Sequence, residues 1–241
     1  MTTICIDLGN TRWKAAVFNN SMPEEIILQS PSQLENLLSN DEHVRVMMCS
    51  VVNHSEEWQT VIQRKTDAFH LLTTTSSFNF SMDVQHPETV GADRLALLAG
   101  AIESYPHQNN LVIAMGSCIT YSFIDNEHVF RGGAISPGMD MRFRAMHEFT
   151  AKLPAASFVH EPPITAKDTV SNLQSGVING IIGELDHFIS KYSEKYGNLN
   201  VILTGGDASY FAERLKSRIF ADQQLLFKGL YALSKINFEN T

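Results

Sequence analysis

The chain has 241 residues, enough to bury a substantial core in one domain or in two small halves. Its 18 basic and 26 acidic residues give a net charge of −8, and no basic cluster interrupts that acidity, which argues against a nucleic-acid partner. The three cysteines lie in apolar, strand-like runs and indicate reduced thiols in a cytoplasmic protein. No signal peptide is predicted, and no stretch reaches the roughly 18 apolar residues of a membrane span.

The first predicted element is a β-hairpin near the N-terminus, in which two apolar runs flank a short polar turn. Asp7 ends the first strand, and Gly9 lets the backbone approach a ligand. Asn10, Thr11 and Lys14 add donors that suit a phosphate group. The same residue types are common in ordinary hairpin turns, so this stretch alone leaves both interpretations open.

Alternating helices and strands are expected after the hairpin. The patterns predict a helix at 32–38 with a serine near its N-cap, a buried strand at 44–52, a helix at 55–66 and a strand at 69–72. The polar tract 73–81 is predicted to be a loop or a sheet edge.

A helix rich in alanine and leucine follows Gly91, and Asp93 lies at its start. An aspartate at this position is typical of a helix N-cap, which is the structural interpretation of the residue. The alternative is that its carboxylate takes part in catalysis.

A second copy of the hairpin pattern at 111–125 indicates an internal duplication. Gly116 aligns with Gly9 of the first copy, and the polar Ser117 follows it. Ala114, however, stands at the position that Asp7 occupies in the first copy.

Three further helices are predicted in the second half, one of them ending near residue 146. The longest, at 168–195, has an apolar stripe at three- and four-residue spacing. Three glycines form a separate line on it, at a cost of about 1 kcal/mol each relative to alanine. Either another element of the same chain packs there, or the helix pairs with its copy across a two-fold dimer. Near the C-terminus, a strand at 201–204 leads through a turn with paired glycines into a helix at 208–218.

Five motifs in this order resemble those of the type III pantothenate kinase family, within the class of actin, hexokinase and Hsp70. The resemblance implies an α/β fold of two tandem RNase H-like (actin-like ATPase) halves, 1–108 and 109–241, with an interdomain cleft. The motifs are Asp7-Leu8-Gly9-Asn10-Thr11, Gly91-Ala92-Asp93-Arg94, Gly132-Gly133-Ala134-Ile135-Ser136-Pro137-Gly138, Asp168-Thr169 with Gln174-Ser175-Gly176, and Thr204-Gly205-Gly206.

The resemblance also implies an activity, the ATP-dependent phosphorylation of pantothenate to 4′-phosphopantothenate, which opens coenzyme A biosynthesis. Asp93 would be the catalytic proton acceptor, and Asp7 would hold Mg²⁺ on the ATP phosphates. The chain would act as a homodimer whose interface helps to complete the substrate site. The residues implied for ATP are Asp7, Leu8, Gly9, Asn10, Thr11, Arg12, Trp13, Lys14 and Ser117, and those for the substrate are Gly91, Ala92, Asp93, Arg94 and Thr169.

The chain departs from the family pattern at its monovalent-cation site and at one residue expected to contact the substrate. Ala114 replaces an aspartate that binds K⁺ or NH₄⁺ in the family, and Ser122 replaces a common acidic residue. The protein therefore works without that ion, or a neighbour such as Asp125 substitutes, or its activity is low. Val84 stands where a tyrosine is frequent.

These departures keep two alternatives open. One is a regulatory or non-catalytic protein on the same scaffold, similar to the Bvg accessory factor. The other is a kinase of a different small hydroxy acid. Motifs typical of zinc hydrolases, nucleophile-elbow hydrolases and dinucleotide-dependent dehydrogenases are missing from the sequence.

Overall fold

The computed structural model describes residues 2–10, 12–19, 24–28, 30–39, 43–52 and 55–239. Its strands are β1 (Thr2–Leu8), β2 (Trp13–Phe18), β3 (Glu24–Leu28), β4 (Val44–Ser50), β5 (Ala68–Leu71), β6 (Ser81–Met82), β7 (Asn109–Met115), β8 (Cys118–Ile124), β9 (Val129–Pro137), β10 (Leu199–Thr204) and β11 (Phe220–Ala221). Its α-helices are α1 (Pro31–Leu38), α2 (Ser55–Lys65), α3 (Ala92–Ser104), α4 (Met139–Glu148), α5 (Thr169–Tyr196), α6 (Ala208–Ala212) and α7 (Leu225–Glu239).

The chain divides into two compact units. The first consists of Met1–His107, Ile124–Gly132 and Gln224–Thr241, and the second of Gln108–Phe123 and Gly133–Gln223. The predicted halves 1–108 and 109–241 follow the sequence repeat rather than these contacts, and they stay a prediction.

The first unit contains a five-stranded sheet in the order β3-β2-β1-β4-β5. The first three strands in the chain are antiparallel neighbours, whereas β4 and β5 add parallel to β1. The predicted N-terminal hairpin is therefore confirmed, with Asp7 directly opposite Lys14. Buried side chains of β1 and β4, such as Ile6 and Met48, form the core on one face of this sheet.

Helices α3 and α7 pack against each other in the first unit at two glycines. A Cβ added to Gly229 would overlap the carbonyl oxygen of Ala96, and one added to Gly100 would overlap that of Leu225. The close backbone approach therefore requires glycine at both positions. The sequence patterns did not predict α7, because Gly229 interrupts an already short run of helix-forming residues.

The second sheet has the order β11-β10-β7-β8-β9-β6. Apart from β6, its order repeats that of the first sheet, with β7 and β8 at the places of β1 and β2. In both sheets a later strand lies parallel to the first strand of the hairpin, β4 in one case and β10 in the other. The shared strand order agrees with the duplication that the sequence indicates.

Helix α5 dominates the second unit and matches its predicted length. It begins after Asp168, whose carboxylate accepts a hydrogen bond from the Ser171 N–H at 3.0 Å in a capping box. Its buried Val177, Ile181 and Leu185 belong to the core around β7, β8 and β10.

The predicted helix 208–218 is shorter than expected, because α6 ends at Ala212. The chain must leave this helix early to reach β11, which runs parallel to β10 from Phe220. No helix in the described ranges is both long and apolar enough for a membrane crossing.

Candidate functional site

The first hairpin has a tight four-residue turn. The N–H of Gly9 donates a hydrogen bond to the carbonyl oxygen of Arg12 at 3.2 Å. A Cβ on Gly9 would lie 3.1 Å from that oxygen, so the turn favours glycine. Asn10 and Arg12 are exposed, and the predicted Thr11 lies outside the described residues.

Three other residues predicted for ATP lie on the strands beside this turn. Leu8 is fully buried in the core, and Trp13 is partly buried against the same cluster. Only the backbone of Leu8 can therefore face a ligand. Lys14 lies opposite Asp7, so the cation and the carboxylate are neighbours across the hairpin.

The Asp7 carboxylate lies between a buried thiol and the turn. Its Oδ1 accepts a hydrogen bond from the Cys49 Sγ at 3.3 Å. Its Oδ2 lies 3.8 Å from the position that a Cβ on Gly9 would occupy. The two carboxylate oxygens therefore face different surroundings, one the core and the other the turn.

Asp93 is the second residue of α3, which contradicts the N-cap interpretation. The N-cap residue is Gly91, and no side chain caps this helix end. The carboxylate of Asp93 instead accepts a hydrogen bond from the backbone N–H of Arg94 at 2.8 Å. Asp93 and Ala92 are both half-buried. Because the helix does not use Asp93 as a cap, its carboxylate needs another explanation.

The buried Cys49 of the first unit is influenced by the charges of both carboxylates. Burial raises the pKa of its thiol well above the usual value, and the charges of Asp7 and Asp93 add to this rise. Both carboxylates therefore act on one protonated thiol at the end of β4. Sequence reasoning missed Cys49, because only the parallel register of β1 and β4 places it beside Asp7.

Arg94 and Val84 lie in one apolar cluster of the first unit. The Arg94 guanidinium carbon is 5.5 Å from the ring centroid of the buried Phe130. Val84 packs on the same cluster, with its Cγ1 3.7 Å from where a Cβ on Gly132 would be. A smaller, apolar side chain, that of Val84, therefore occupies the position at which the family often has tyrosine.

The second hairpin turn is shorter than the first and is attached to the Gly132–Gly138 motif. Gly116 and the exposed Ser117 connect its strands, and the carbonyl oxygen of Ser117 accepts a hydrogen bond from the Gly138 N–H at 3.0 Å. A Cβ on Gly138 would collide with the backbone of this turn. The motif thus fixes the position of Ser117.

The Thr-Gly-Gly turn lies beside the second hairpin. Gly205 has φ +97, and its Cα lies against the backbone of Met115, so both its conformation and its surroundings require glycine. Gly206 is exposed with open space around it, which leaves its backbone accessible to a nucleotide.

Asp207 follows this turn and was missed by the sequence analysis. It stands at the N-cap position of α6, but its carboxylate makes no capping hydrogen bond. Burial raises the pKa of Asp207 above its usual value, and the charge of Asp140 adds to the rise. A raised pKa in a half-buried acid can mark a functional group, although structural acids show it too.

The residues at the expected monovalent-cation position do not form such a site. Ala114 has no ligating atom, and its neighbour in the parallel register is the buried Thr204. Asp125 is engaged elsewhere, since it accepts hydrogen bonds from the Val129 N–H at 2.9 Å and from Arg131 Nε at 2.7 Å. Within the described parts of the chain, no three potential metal-ligating side chains cluster together.

Glu184 on α5 is the centre of a polar network in the second unit. It accepts hydrogen bonds from the Tyr121 hydroxyl at 2.9 Å, from the Ser136 hydroxyl and from Arg142. Burial alone would raise the pKa of Glu184, but these three donors outweigh it and leave the pKa below its usual value. The network ties β8, β9 and α4 to α5.

Thr169 and the three aligned glycines lie on the surface of α5. Thr169 is exposed at the first residue of the helix. Gly176, Gly180 and Gly183 are also exposed, and a Cβ on any of them would meet no described atom within 4 Å. No described element of the same chain therefore packs on this line of glycines.

Comparisons with known proteins agree with the motifs. The family model described as type III pantothenate kinase matches residues 3–191. A type III pantothenate kinase of Flavobacterium johnsoniae is 36% identical over 241 residues, covering 98% of this chain and 99% of the relative. One from Cytophaga hutchinsonii is 38% identical over 239 residues, covering 97% of this chain and 99% of the relative.

Solved structures extend the likeness to the fold. A putative Baf family transcriptional activator from Campylobacter jejuni has a TM-score of 0.65 at 21% identity, covering 98% of this chain and 99% of that chain. A putative 2-dehydro-3-deoxygalactonokinase from Sinorhizobium meliloti has a TM-score of 0.60 at 14% identity, covering 97% and 98%. At these identities the likeness shows the fold alone, and it confirms the predicted actin-like α/β class.

Proposed function

Because this chain belongs to the type III pantothenate kinase family, we propose that it transfers the γ-phosphoryl group of ATP to the primary hydroxyl of pantothenate. The product is 4′-phosphopantothenate, in the first step of coenzyme A biosynthesis. The observation that carries the proposal is the Asp7 carboxylate, which lies beside a buried thiol at the phosphate-type turn, together with the Asp93 carboxylate at the start of α3, in a chain of this family. The Asp93 carboxylate does not cap α3, whose N-cap residue is Gly91.

Asp93 takes the proton in this mechanism. The pantothenate hydroxyl oxygen attacks the γ-phosphorus, the bond to the oxygen that bridges the β- and γ-phosphates breaks, and ADP leaves. Phosphoryl transfer depends mostly on positioning and charge stabilisation, so a carboxylate is an adequate base for the hydroxyl proton. The hydrogen bond from the Arg94 N–H holds the Asp93 carboxylate at the start of α3.

The carboxylate of pantothenate needs a positively charged partner. Arg94 supplies this charge in the motif Gly91-Ala92-Asp93-Arg94. A guanidinium can bind a carboxylate through two parallel hydrogen bonds. The position of Arg94 over the Phe130 ring limits its rotamers and supports this role. Thr169 would be the further substrate residue, as in the family motif.

The ATP phosphates would bind at the turn from Gly9 to Lys14 and at Ser117. The turn offers backbone donors, and Lys14 offers a charge. Asp7 fits Mg²⁺, because it is an oxygen ligand whose Oδ2 faces the turn. When bound, Mg²⁺ neutralises phosphate charge during the transfer. The exposed backbone of Gly206 would lie against the nucleoside.

The residues present do not fit a monovalent cation. Ala114 offers no oxygen from its side chain, and Asp125 is held by Arg131 and by backbone N–H groups. We therefore infer that the reaction does not require K⁺ or NH₄⁺, and no step of the mechanism is assigned to either ion.

The strand orders support the proposed division into two RNase H-like halves, 1–108 and 109–241. Each half contributes a hairpin followed by a parallel strand to its own sheet. We propose a cytoplasmic location because the cysteines are free and two of them, Cys5 and Cys49, are buried, as is usual for proteins of a reducing compartment.

The first test is ADP release from ATP and Mg²⁺ in the presence and absence of pantothenate, comparing wild type with Asp93→Asn. We expect pantothenate-dependent turnover that the substitution abolishes, because asparagine cannot accept the proton. Glu103→Gln is the matched control, since Glu103 is an exposed acid on the same helix α3. Two results would overturn the proposal. One is a folded wild type that releases no ADP in response to pantothenate, and the other is an Asp93→Asn variant with wild-type turnover.

The same assay distinguishes the two alternatives. A panel of small hydroxy acids identifies a kinase with another acceptor, because ADP release would then follow that compound instead of pantothenate. Turnover with none of them would favour a regulatory protein. The kinase names of the relatives at 36% and 38% identity do not favour that outcome.

A homodimer is proposed through the glycine line of α5. Three glycines in a helix interior cost about 1 kcal/mol each, and no described atom of the same chain contacts them. A second copy of α5 would use this space and would bring its Thr169 to the substrate site. Sedimentation should show that Gly180→Leu weakens the dimer, whereas Ser193→Leu on another face of α5 leaves it intact. A Gly180→Leu protein that stays dimeric at low concentration argues against this interface.

A further inference from the structure

The thiol of Cys49 has a geometric relation to Asp7 that the proposed mechanism does not use. Cys49 is fully buried at the end of β4, directly beside Asp7 in the parallel register. Its Sγ donates a hydrogen bond to Asp7 Oδ1 at 3.3 Å. A thiol has one proton to donate, so the hydrogen bond has a single direction.

The hydrogen bond distinguishes the two oxygens of the Asp7 carboxylate. With Oδ1 turned toward Cys49, Oδ2 lies near Gly9, on the side of the phosphate turn. Cys49 also belongs to an apolar core cluster that includes Met47 and Leu95. Cys49 has no solvent-exposed surface, so its S–H cannot donate to bulk water instead of Asp7.

We propose that Cys49 is a positioning residue for the kinase reaction, whose S–H holds the Asp7 carboxylate with Oδ2 facing the phosphate turn. This inference rests on the proposed function, in which Asp7 binds the Mg²⁺ of the nucleotide. A carboxylate that is already oriented loses less freedom when the metal–nucleotide complex binds. Without the donor, one contact that orients the carboxylate is lost, and orientations in which Oδ2 does not face the turn become more populated.

The test compares three substitutions by calorimetric titration with ATP, once with Mg²⁺ and once with EDTA. Cys49→Ala removes the donor, Cys49→Ser retains a hydroxyl donor, and Cys5→Ala removes an equally buried thiol from the same core. We expect Cys49→Ala to weaken the Mg²⁺-dependent part of ATP binding by about fivefold, the size of one hydrogen bond. Cys49→Ser should recover most of that loss, and Cys5→Ala should bind as wild type does.

Steady-state kinetics give a second measurement. The Mg²⁺ concentration for half-maximal velocity should rise in Cys49→Ala, whereas the KM for pantothenate should stay constant, because Cys49 acts only through Asp7. A packing role alone would affect Cys5→Ala and Cys49→Ser as much as Cys49→Ala.

Two results would overturn the inference while the proposed function stands. One is wild-type Mg²⁺-dependent ATP binding in Cys49→Ala, and the other is an equal loss in all three variants. Failure of the proposed function has a different signature, because wild type would then bind Mg²⁺ and ATP without releasing ADP in response to pantothenate. Wild type that does not bind Mg²⁺ and ATP at all would overturn both.

Discussion

The two hairpins occupy the same place in their sheets, yet only the first has a carboxylate at its strand end. Asp7 lies beside Cys49 in the parallel register of β1 and β4. At the corresponding place in the second sheet, Ala114 lies beside Thr204 of β10. One fold therefore supports a charged strand end in one copy and a neutral one in the other.

The turns of the two hairpins differ as well. The first turn is closed by its own hydrogen bond from Gly9 to Arg12. The second turn is closed in the same way, by a hydrogen bond from the Gly116 N–H to the Cys118 carbonyl oxygen at 3.0 Å, and it also accepts a hydrogen bond from Gly138, which has no space for a side chain. The first copy thus combines its turn with the charge, whereas the second has a neutral strand end and a turn that a distant motif also contacts. The two copies share a strand order but differ in the charge at the end of the first strand.

The largest expected effect comes from removing the charge of the first hairpin. Asp7→Asn keeps the shape of the side chain and an oxygen for the Cys49 thiol, but it removes the negative charge that we assign to Mg²⁺. We expect kcat/KM for ATP to fall by about 100-fold. Steady-state ADP release at several Mg²⁺ concentrations measures this.

Asp67→Asn is the control for that prediction, because Asp67 is an exposed aspartate of the same unit that pairs with His43. Its kinetics should match those of wild type. An Asp7→Asn enzyme with nearly full activity would mean that the two hairpins are functionally equivalent at this position.

A smaller effect is expected from making the second hairpin resemble the first. Wild type should turn over equally in K⁺ and Na⁺ buffers, since Ala114 provides no ligand. Ala114→Asp adds a carboxylate beside the hydroxyl of Thr204, and we expect a preference for K⁺ of a few-fold to appear. Ala114→Asn, which adds the same volume without the charge, is the control. Strong K⁺ stimulation of wild type would show that another group provides the ion site.

Much of the fold and part of the candidate site follow from local patterns in the sequence. The first hairpin was predicted from two apolar runs around a polar turn, and α5 from an apolar stripe at helical spacing. The second hairpin was found by its similarity to the first. The family motifs then placed Asp7 and Asp93 on the list of candidates.

The remainder depends on contacts that no local pattern contains. Cys49 is a site neighbour only because of the register of β4 against β1, which is 42 residues away in sequence. Asp93 resembled an N-cap, and only the backbone geometry assigns that place to Gly91. Asp207 has its raised pKa because the fold buries it near Asp140.

The smallest expected effect concerns a carboxylate with a structural role, Glu184 of the second unit. Its three donors come from residues 42, 48 and 63 positions away, and they join three elements to α5. Glu184→Gln removes the charge that Arg142 pairs with, and we expect the free energy of unfolding at pH 7 to fall by about 1–2 kcal/mol. Asp7→Asn should leave this free energy nearly unchanged, which distinguishes the structural acid from the functional one.

The difference between wild type and Glu184→Gln should also depend on pH. The folded pKa of Glu184 lies below its usual value of 4.5, so its ionised form contributes stability above that value. The contribution is lost as the pH falls through the folded pKa, and the two melting temperatures should converge there. Glu194→Gln, an exposed acid of the same helix paired with Lys191, is the control and should melt close to wild type throughout. If the Glu184→Gln difference were the same at pH 7 and at low pH, lost packing rather than lost charge would be its cause.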